Sequence, residues 1–328
     1  MAAERPPSGS RRRRGVLAVV AACCNGALAL RAPRAAVAPP RRGARCGAAA
    51  VGGDDVWPTW SASVDPDADM LYMPFLEAQL AAMAKLGAAE AEAGDALPRR
   101  LAFAAKAGGK SDGVKARVGS RVYAIDGLFR RVRMTYFDGG ASLQVFNSLW
   151  YPEADRVGAP LLGVDLLKFG AGKYLCVIDA QPPGGRGEDG AVPHDATALD
   201  AIRSLPENAP LRGEVSSKWY DSNRFFSKQM LYGRFDNATG PASVKDVLFP
   251  AFTAYLDAYV DAVAKCPTDA GAAPAALAAQ ADYDAFNAER DPAHGLFTSY
   301  FGAEWANDYV HDFLFKLAPP PPPDAQGE

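Results

Sequence analysis

The sequence predicts an α+β fold with helices on both faces of one antiparallel sheet. Residues 132 to 149 alternate between apolar and polar around Asp138-Gly139-Gly140, which is typical of a hairpin. Two further apolar runs, Leu161–Phe169 and residues 174 to 180, are joined by the short turn Gly170-Ala171-Gly172. Because such a connection is too short for a crossover helix, these strands are predicted to be antiparallel. Helical periodicity precedes and follows the strands.

The helices are predicted from apolar residues that recur at helical spacing. An acidic start and five such residues predict a first helix over residues 65 to 86; they are Leu71, Phe75, Leu76, Leu80 and Met83. Residues 87 to 113 are predicted to be a mobile connection with a short ordered piece around Leu101. After the strands and a Gly-rich loop, further helices are predicted over residues 198–205, 243–264, 275–286 and 303–314.

Composition and charge limit the classes of function. With 328 residues, 49% of them apolar, the chain can bury a full core. Residues 1 to 53 contain ten Arg and one acid, Glu4, so the remaining chain carries a net charge of −12. An acidic body does not suit broad nucleic-acid binding, which needs a basic surface. We therefore expect no nucleic-acid partner, although a local basic patch for an acidic protein stays compatible with the sequence.

No motif in the sequence indicates a bound metal or nucleotide. The five Cys include no CxxC pair, which suits a reducing compartment. The three His, His194, His294 and His311, show no HExxH spacing and no Cys/His cluster. Gly108-Gly109-Lys110 lacks the earlier glycine of a P-loop, and no GxGxxG follows a strand. The sequence thus predicts no metal site.

The N-terminal region has the composition of a targeting sequence. Arg11 to Arg14 precede an apolar stretch, residues 15 to 29, that is too short to span a membrane. An Arg-, Ala- and Pro-rich stretch without acids follows, up to Arg45. This tandem resembles the bipartite presequences of proteins imported into complex algal plastids and predicts the plastid stroma. A secreted protein with a basic propeptide is the alternative, and the missing disulfide framework disfavours it.

The predicted boundaries follow from these observations. Residues 1–53 are a presequence, residues 54–317 one folded domain, and residues 318–328 a disordered tail of proline and acid.

A single carboxylate interrupts the apolar strand Leu161–Phe169. Asp165 shares a strand face with Gly163 and Leu167. If this face lines a cavity, desolvation will raise the pKa of Asp165 and make it a proton donor. A structural carboxylate that pairs with Arg or caps a turn is the alternative. On the preceding strand, Asn147 lies among apolar residues of one face, where it either orients a ligand or cross-links the sheet.

Two further polar segments are candidates for a site. Asp291 and His294 lie in a dense polar run between apolar segments, as in a functional loop; capping of a helix by Asp291 is the alternative. Arg234, with Ser227 or Lys228, suits the carboxylates of a ligand, since guanidinium binds carboxylate in a fork. Solvated surface charge explains these three residues equally well.

Several separated motifs, in this order, resemble the ferredoxin-dependent bilin reductases. The likeness runs from about Phe75 to Phe315. The motifs that carry it are Gln144-Val145-Phe146-Asn147-Ser148 with Tyr151-Pro152, Gly163-Val164-Asp165-Leu166-Leu167 with Phe169-Gly170, Phe226-Ser227, the run from Glu289 to Ser299, Phe301-Gly302, and His311-Asp312-Phe313-Leu314-Phe315.

The resemblance implies a three-layer α/β/α sandwich around a central antiparallel sheet. It implies that biliverdin IXα binds between the sheet and the C-terminal helices. No cofactor is bound; reduced ferredoxin, with its [2Fe-2S] cluster, is the external donor of single electrons, and the protein supplies protons to a bilin radical. The implied partners are biliverdin and ferredoxin, with no membrane, in a monomer that passes its product to the next bilin reductase.

The resemblance also implies roles for individual residues. Asp165 matches the proton donor of the central strand, and Asp291 matches a second aspartate on the helix side. Asn147 orients the substrate, and the remaining predicted substrate-binding residues are Ser227, Lys228, Arg234 and His294. Because ferredoxins are acidic, docking requires a local basic patch, for which the candidates are Arg130, Arg131, Lys168 and Lys173.

The reaction type is predicted from differences between branches of the family. The phycocyanobilin-forming branch has a His where Asn147 stands and a Glu where Thr135 stands, so this chain resembles it less. The expected reaction is the two-electron reduction of the 15,16 double bond in phycoerythrobilin biosynthesis. A four-electron reduction to phycoerythrobilin stays open, since the enzyme that performs it also has an Asn and two Asp. A bilin carrier or lyase and a purely structural plastid protein are the alternatives from other classes.

Overall fold

The structure is a computed structural model that describes residues 60, 62–91, 100–105, 111–170, 172–187, 190–214 and 224–319. The predicted presequence and most of the predicted tail lie outside the described residues, so their boundaries stay predictions.

One antiparallel sheet forms the centre of the molecule. Its strands lie in the order β1-β3-β4-β5-β6-β7-β8, with β2 also paired to β3. All of these pairs are antiparallel, which confirms the predicted meander. The strands are β1 (Ala89–Glu90), β2 (Arg100–Ala105), β3 (Ser111–Ile125), β4 (Phe129–Asp138), β5 (Leu143–Pro152), β6 (Leu161–Phe169), β7 (Lys173–Gln181) and β8 (Leu231–Phe235).

The predicted hairpin is formed by β4 and β5. Its turn requires glycine at position 140, where φ is +63° and a Cβ atom would lie 2.4 Å from the Cβ of Asp65. The register that follows from this turn places Asn147 opposite Thr135 on one side and opposite Asp165 on the other.

The largest difference from the predicted sheet concerns β3. Its first residues were predicted to belong to the mobile connection, and the ordered piece expected around Leu101 is strand β2. Strand β3 pairs with β4 from Arg117, opposite Asp138, to Ile125, opposite Phe129. Pairing with the buried strand β4 stabilises this segment, although it contains Gly and Ser. Local strand propensity does not predict such pairing.

In the described part of the chain, six α-helices of six or more residues pack on the sheet. They are α1 (Met73–Lys85), α2 (Thr197–Ser204), α3 (Phe249–Lys265), α4 (Ala273–Ala288), α5 (Ala293–Phe301) and α6 (Ala303–Asp308). Short helical turns complete them: Pro206–Leu211 after α2, Gly240–Ala242 and the π turn Ser243–Leu248 before α3, Ala270–Ala272 before α4, and the π turn Tyr309–Leu314 after α6.

Two predicted helical boundaries change. Helix α1 begins at Met73, later than predicted. Asp65 lies in a turn before the helix, where it accepts hydrogen bonds from the backbone N–H of Asp67 and from that of Ala141 in the β4–β5 turn. Helix α5 begins at Ala293, within the segment predicted to be a polar loop.

The helices form one layer on each face of the sheet, which confirms the three-layer α/β/α sandwich. Helices α1, α2 and α3 cover a core that contains Phe129, Trp150 and Tyr259. Helices α4, α5 and α6 cover a second core, which contains Leu149 and Phe313.

One helical segment of the described chain, residues 240 to 265, is long and apolar enough to cross a membrane by length and composition. Its residues Phe252, Tyr255 and Tyr259 are fully buried in the first core. An apolar stripe that packs against a sheet is the pattern of a core helix.

Candidate active site

A pocket opens between the sheet and the second helical layer. It encloses about 980 Å³ of space free of protein atoms, part of which is open to solvent. Small-molecule sites commonly have an apolar lining with a few polar groups. The lining residues are Arg133, Asn147, Ser148, Leu149, Gly163, Val164, Asp165, Leu167, Leu175, Val177, Gln181, Phe226, Tyr232, Arg234, Tyr283, Asn287, Asp291, Pro292 and Phe315.

Three polar side chains cross the floor of the pocket from strand to strand. Asn147 donates from Nδ2 to Oδ1 of Asp165 over 3.1 Å. Its Oδ1 accepts from Nη1 of Arg133 over 2.5 Å, and Arg133 also donates from Nε to the carbonyl of Leu314 over 2.8 Å. Asn147 thus cross-links the sheet, as one of its two predicted roles requires, and it also lines the pocket; that it orients a ligand stays a prediction.

The surroundings of Asp165 favour its protonated form more than water does. Burial raises the pKa of Asp165 to about 7, and the nearby Asp291 adds to the rise. The hydrogen bond from Asn147 and the charge of Arg133 act in the opposite direction. Part of the Asp165 side chain stays accessible from the pocket. At neutral pH this carboxyl group is therefore divided between its acid and its carboxylate.

Asp291 lies on the opposite wall, between α4 and α5. Its Oδ1 accepts from the backbone N–H of Ala293 over 2.8 Å, as expected for a residue that caps a helix start. Burial raises the pKa of Asp291, while this N–H, Arg133 and His294 oppose the rise. Asp291 both caps α5 and lines the pocket, so the structure places the two predicted aspartates at one cavity, one on the sheet and one on the helical side.

Arg234 stands on the edge strand β8. It is exposed, lines the pocket, and has its guanidinium over the ring of Tyr232 at 5.5 Å from the centroid. A guanidinium at the pocket edge can bind a carboxylate of a ligand, because its planar N–H groups match the two carboxylate oxygens.

Three predicted substrate-binding residues lie outside the pocket lining. Ser227 is buried and donates from its backbone N–H and its hydroxyl to Asp179, over 2.8 and 2.5 Å. Lys228 is exposed, and its side chain lies beside Gly190. His294 shares a hydrogen bond of 2.6 Å with Asn307, which links α5 to α6. Because the pocket lining does not include them, their contact with a substrate stays a prediction.

Several pocket residues were not singled out from the sequence. Arg133 alternates with apolar residues on β4, a pattern that also describes a solvated strand face. Tyr283 donates its hydroxyl to Gln181, and with Asn287 it occupies one face of α4 at a spacing of four residues. This spacing is the signal that could have identified the helical wall.

The predicted docking patch is reduced by the structure. Arg131 is 5% exposed and donates from Nη2 to the carbonyl of Phe313 over 2.8 Å, so it is not a surface group. Arg130 is half-buried and donates to Gln280 of α4. The second helical layer buries Arg131 and half-buries Arg130. Lys168 is also half-buried and donates to the carbonyl of Ala141, and Lys173 is exposed.

The described residues include no group of three or more His, Cys, Asp or Glu placed to hold a metal ion. Of the cysteines in the described part of the chain, Cys176 is buried and Cys266 half-buried, and both are free thiols.

Comparison with known proteins gives the same family by sequence and a related fold by structure. A family described as ferredoxin-dependent bilin reductase matches residues 94–316. A 15,16-dihydrobiliverdin:ferredoxin oxidoreductase of Gloeobacter violaceus is 43% identical over 194 residues, which cover 58% of this chain and 75% of the relative. Another of that name, from Synechococcus sp. strain CC9902, is 38% identical over 256 residues, 76% of this chain and 99% of the relative.

A crystal structure of phytochromobilin synthase from tomato, in complex with biliverdin, has a TM-score of 0.60 and 20% identity; the match covers 75% of this chain and 83% of that one. At this identity the likeness concerns the fold. On the family match and the relatives, this chain belongs to the ferredoxin-dependent bilin reductases.

Proposed function

We propose that the protein reduces the 15,16 double bond of biliverdin IXα and releases 15,16-dihydrobiliverdin. Two reduced ferredoxins each give one electron, and two protons complete the addition of two hydrogens across the double bond. The names of the relatives support this reaction. The structural observation that carries it is the pair Asp165 and Asp291, two carboxyl groups of raised pKa on opposite walls of one pocket. Acids with such a pKa can donate protons near neutral pH.

The proposed chemistry divides the work between the donor and the protein. Electrons arrive singly, so the bilin passes through a radical whose basicity exceeds that of the starting pigment. Asp165 then protonates the bilin from the sheet side, and Asp291 serves as the second acid from the helical side. The protein performs general acid catalysis, which contributes about 10²- to 10⁴-fold to a rate.

The shape of the pocket suits an extended conjugated pigment. Leu149, Leu167 and Val177 give the sheet wall an apolar surface, and Pro292 and Phe315 face it from the other layer. In this arrangement the tetrapyrrole rings lie between the two walls. Arg234, at the open edge, binds a propionate carboxylate.

The decisive experiment is anaerobic incubation of the protein with biliverdin and reduced ferredoxin, followed by chromatography of the pigment. The expected product is 15,16-dihydrobiliverdin. Phycoerythrobilin as the product would establish a four-electron enzyme instead. Bound pigment that stays unchanged would indicate a carrier, and a protein that binds no pigment would be structural.

We further propose that residues 1–53 deliver the protein to the plastid stroma, where it acts as a monomer and passes its product to a second bilin reductase. The Arg-rich, acid-poor composition of this region supports the targeting proposal. A fluorescent protein fused to residues 1–53 should accumulate in plastids of a complex alga. A protein that begins at residue 54 should retain full activity in solution. Secretion of the fusion would reject the targeting proposal.

A further inference from the structure

We infer that Arg133 is a positioning residue, which fixes the side-chain amide of Asn147 and thereby places the acidic proton of Asp165 on Oδ2. The effect of Arg133 on catalysis rests on the proposed function. The hydrogen-bond arrangement of Arg133, Asn147 and Asp165 can be measured without turnover.

Arg133 determines which end of the Asn147 amide faces which neighbour. An amide side chain can present either its oxygen or its NH₂ group, but a guanidinium only donates hydrogen bonds. The Asn147 atom that lies 2.5 Å from Nη1 of Arg133 is therefore its carbonyl oxygen. The NH₂ group must then face Asp165, where Nδ2 and Oδ1 are 3.1 Å apart.

This orientation determines where Asp165 can carry its proton. An NH₂ group of an amide donates and does not accept, so Oδ1 of Asp165 has to be an acceptor. A proton on Oδ1 would turn it into a hydroxyl oxygen, which accepts a hydrogen bond from Asn147 less well than a carbonyl oxygen does. The acidic form of Asp165 thus carries its proton on Oδ2, the oxygen that Asn147 does not engage.

Arg133 is itself held in place by the C-terminal segment. It is 2% exposed, donates from Nε to the carbonyl of Leu314 over 2.8 Å, and lies over the ring of Phe315 at 5.3 Å. A side chain with several fixed contacts can impose an orientation on its neighbour, because it loses little freedom by doing so. The order of contacts runs from Leu314 through Arg133 and Asn147 to Asp165.

The charge of Arg133 also acts on the titration of the site. It lowers the pKa of both Asp165 and Asp291, against the effect of burial. The titratable and charged groups around Asp165 come from several elements: Arg133 from β4, Arg234 from β8, Tyr283 from α4, Asp291 after α4, and Tyr72 from the other side of the sheet. Asp291 is the carboxyl group among these that raises the pKa of Asp165.

Neutron diffraction from deuterated crystals of the unaltered, pigment-free protein tests the geometry directly. At a pH near 5.5, below the pKa of about 7, Asp165 is in its acid form. We expect one deuterium on Oδ2 of Asp165 and two on the Asn147 atom that faces Asp165. A deuterium on Oδ1, or the ND₂ group directed at Arg133, would overturn the inference. This measurement needs no variant and so does not depend on the folding of one.

A set of three variants tests the role of Arg133 in solution. Arg131 gives a matched control, because it is a buried arginine on the same face of β4 that donates to Phe313 and does not line the pocket. The titration of Asp165 is followed by its ¹³Cγ resonance and assigned with Asp165→Asn. We expect Arg133→Gln to raise the pKa of Asp165 above about 7, and Arg133→Lys and Arg131→Gln to leave it near the wild-type value. Equal titration in Arg133→Gln and Arg131→Gln would refute the role.

Turnover then distinguishes positioning from binding. At saturating pigment and ferredoxin, Arg133→Gln should lose about tenfold or more in rate, since small displacements of a reacting group have effects of this size. Pigment affinity should change little, and Arg133→Lys should recover part of the rate. A wild-type protein that binds pigment but does not reduce it would reject the proposed function, while the neutron and titration results would still decide the inference about Arg133.

Discussion

At the scale of single residues, the chemistry of Asp165 depends on what surrounds it. Strand alternation directs it to the same face as Leu167, and that face is covered by the second helical layer. Burial raises its pKa to about 7, whereas an exposed aspartate would be ionised throughout the neutral range. A group that keeps its proton near neutrality is suited to donate it.

Replacement of Asp165 by Asn should abolish turnover and preserve pigment binding. The amide retains the volume and hydrogen bonding of the side chain but has no acidic proton, so we expect a loss of about 100-fold or more. The wild-type rate should fall as pH rises through about 7, because the acid form is depleted there. Pigment absorbance gives binding, and stopped-flow reduction gives the rate. Full activity of Asp165→Asn would contradict the assignment.

The same raised pKa values predict how stability depends on pH. Asp165 and Asp179 each have a pKa raised by burial from 3.8 to about 7. The unfolded chain gives up these protons at lower pH than the native protein. The stability contributed by the two acids is therefore complete below the unfolded pKa and is lost as pH rises through about 7.

Denaturant unfolding at pH 5, 6 and 7 should show this loss for the wild type. Asp165→Asn removes one titrating group, so its stability should fall less steeply, by up to about 1.4 kcal/mol per pH unit. Asp257→Asn, on the exposed side of α3, is the control and should keep the wild-type slope. Equal slopes in all three proteins would show that Asp165 does not titrate in this range.

At the scale of secondary-structure elements, α4 holds the C-terminal segment against the pocket. Asp284 is 1% exposed and accepts from the hydroxyl of Tyr151 over 2.7 Å and from the N–H of Leu317 over 3.0 Å. Phe315, which lines the pocket, and Leu314, which holds Arg133, belong to the same segment. One buried carboxylate thus joins β5, α4 and the segment that closes the site.

Asp284→Ala should therefore weaken pigment binding although Asp284 does not line the pocket. It leaves a hydroxyl and a backbone N–H without their acceptor, at a cost of about 1–3 kcal/mol per group. Gln280→Ala is the matched control, because Gln280 lies one turn earlier on α4 and binds Arg130 and Pro152 instead of the C-terminal segment. Both variants should lose stability, and only Asp284→Ala should raise the pigment Kd. Equal effects of the two variants on the pigment Kd would contradict the role of Asp284 in holding the C-terminal segment at the pocket.

At the scale of the whole molecule, charge governs the encounter with the electron donor. The chain after residue 53 carries a net charge of −12, so an acidic ferredoxin is repelled except where basic side chains are grouped. Of the four basic residues expected from the sequence to form such a group, Lys173 is exposed and Lys168 is half-buried, and both lie near the β6–β7 turn. Attraction confined to a few exposed charges is screened within about 8 Å at physiological salt.

Turnover at low ferredoxin concentration should fall as ionic strength rises. Lys173→Glu should lower kcat/KM for ferredoxin several-fold and reduce its dependence on salt, because the variant removes an attractive charge. Lys265→Glu is the control and should behave like the wild type, because this exposed lysine ends α3 beside the β5–β6 connection, at the opposite end of the sheet from Lys173. A rate that does not depend on salt, or equal losses in both variants, would exclude docking at Lys173.

Residue patterns identified the interior of the sheet and four of the residues that line the pocket: Asn147, Asp165, Arg234 and Asp291. Strand alternation placed Asp165 with Leu167, and Asn147 with Leu149, on one face of their respective strands, since side chains of a strand alternate strictly between its two sides. The dense polar run and the family motif selected Asp291, and the fit of a guanidinium to a ligand carboxylate selected Arg234; the structure places both at the same pocket. Arg133 was missed because an arginine between apolar residues on a strand looks the same whether water or a helix covers that face.

The sequence by itself determined the meander, the helices after it, and the strand face on which Asp165 and Asn147 each lie, because short connections and alternation are local properties. The tertiary structure decided which polar groups are desolvated and which are already engaged. In the folded protein, Arg131 and Arg133 are buried beneath the C-terminal segment, and the hydroxyl of Ser227 donates a hydrogen bond to Asp179. Burial and hydrogen-bond partners depend on segments that are far apart in the chain, so the acidity of Asp165 and the orientation of Asn147 exist only in the folded molecule.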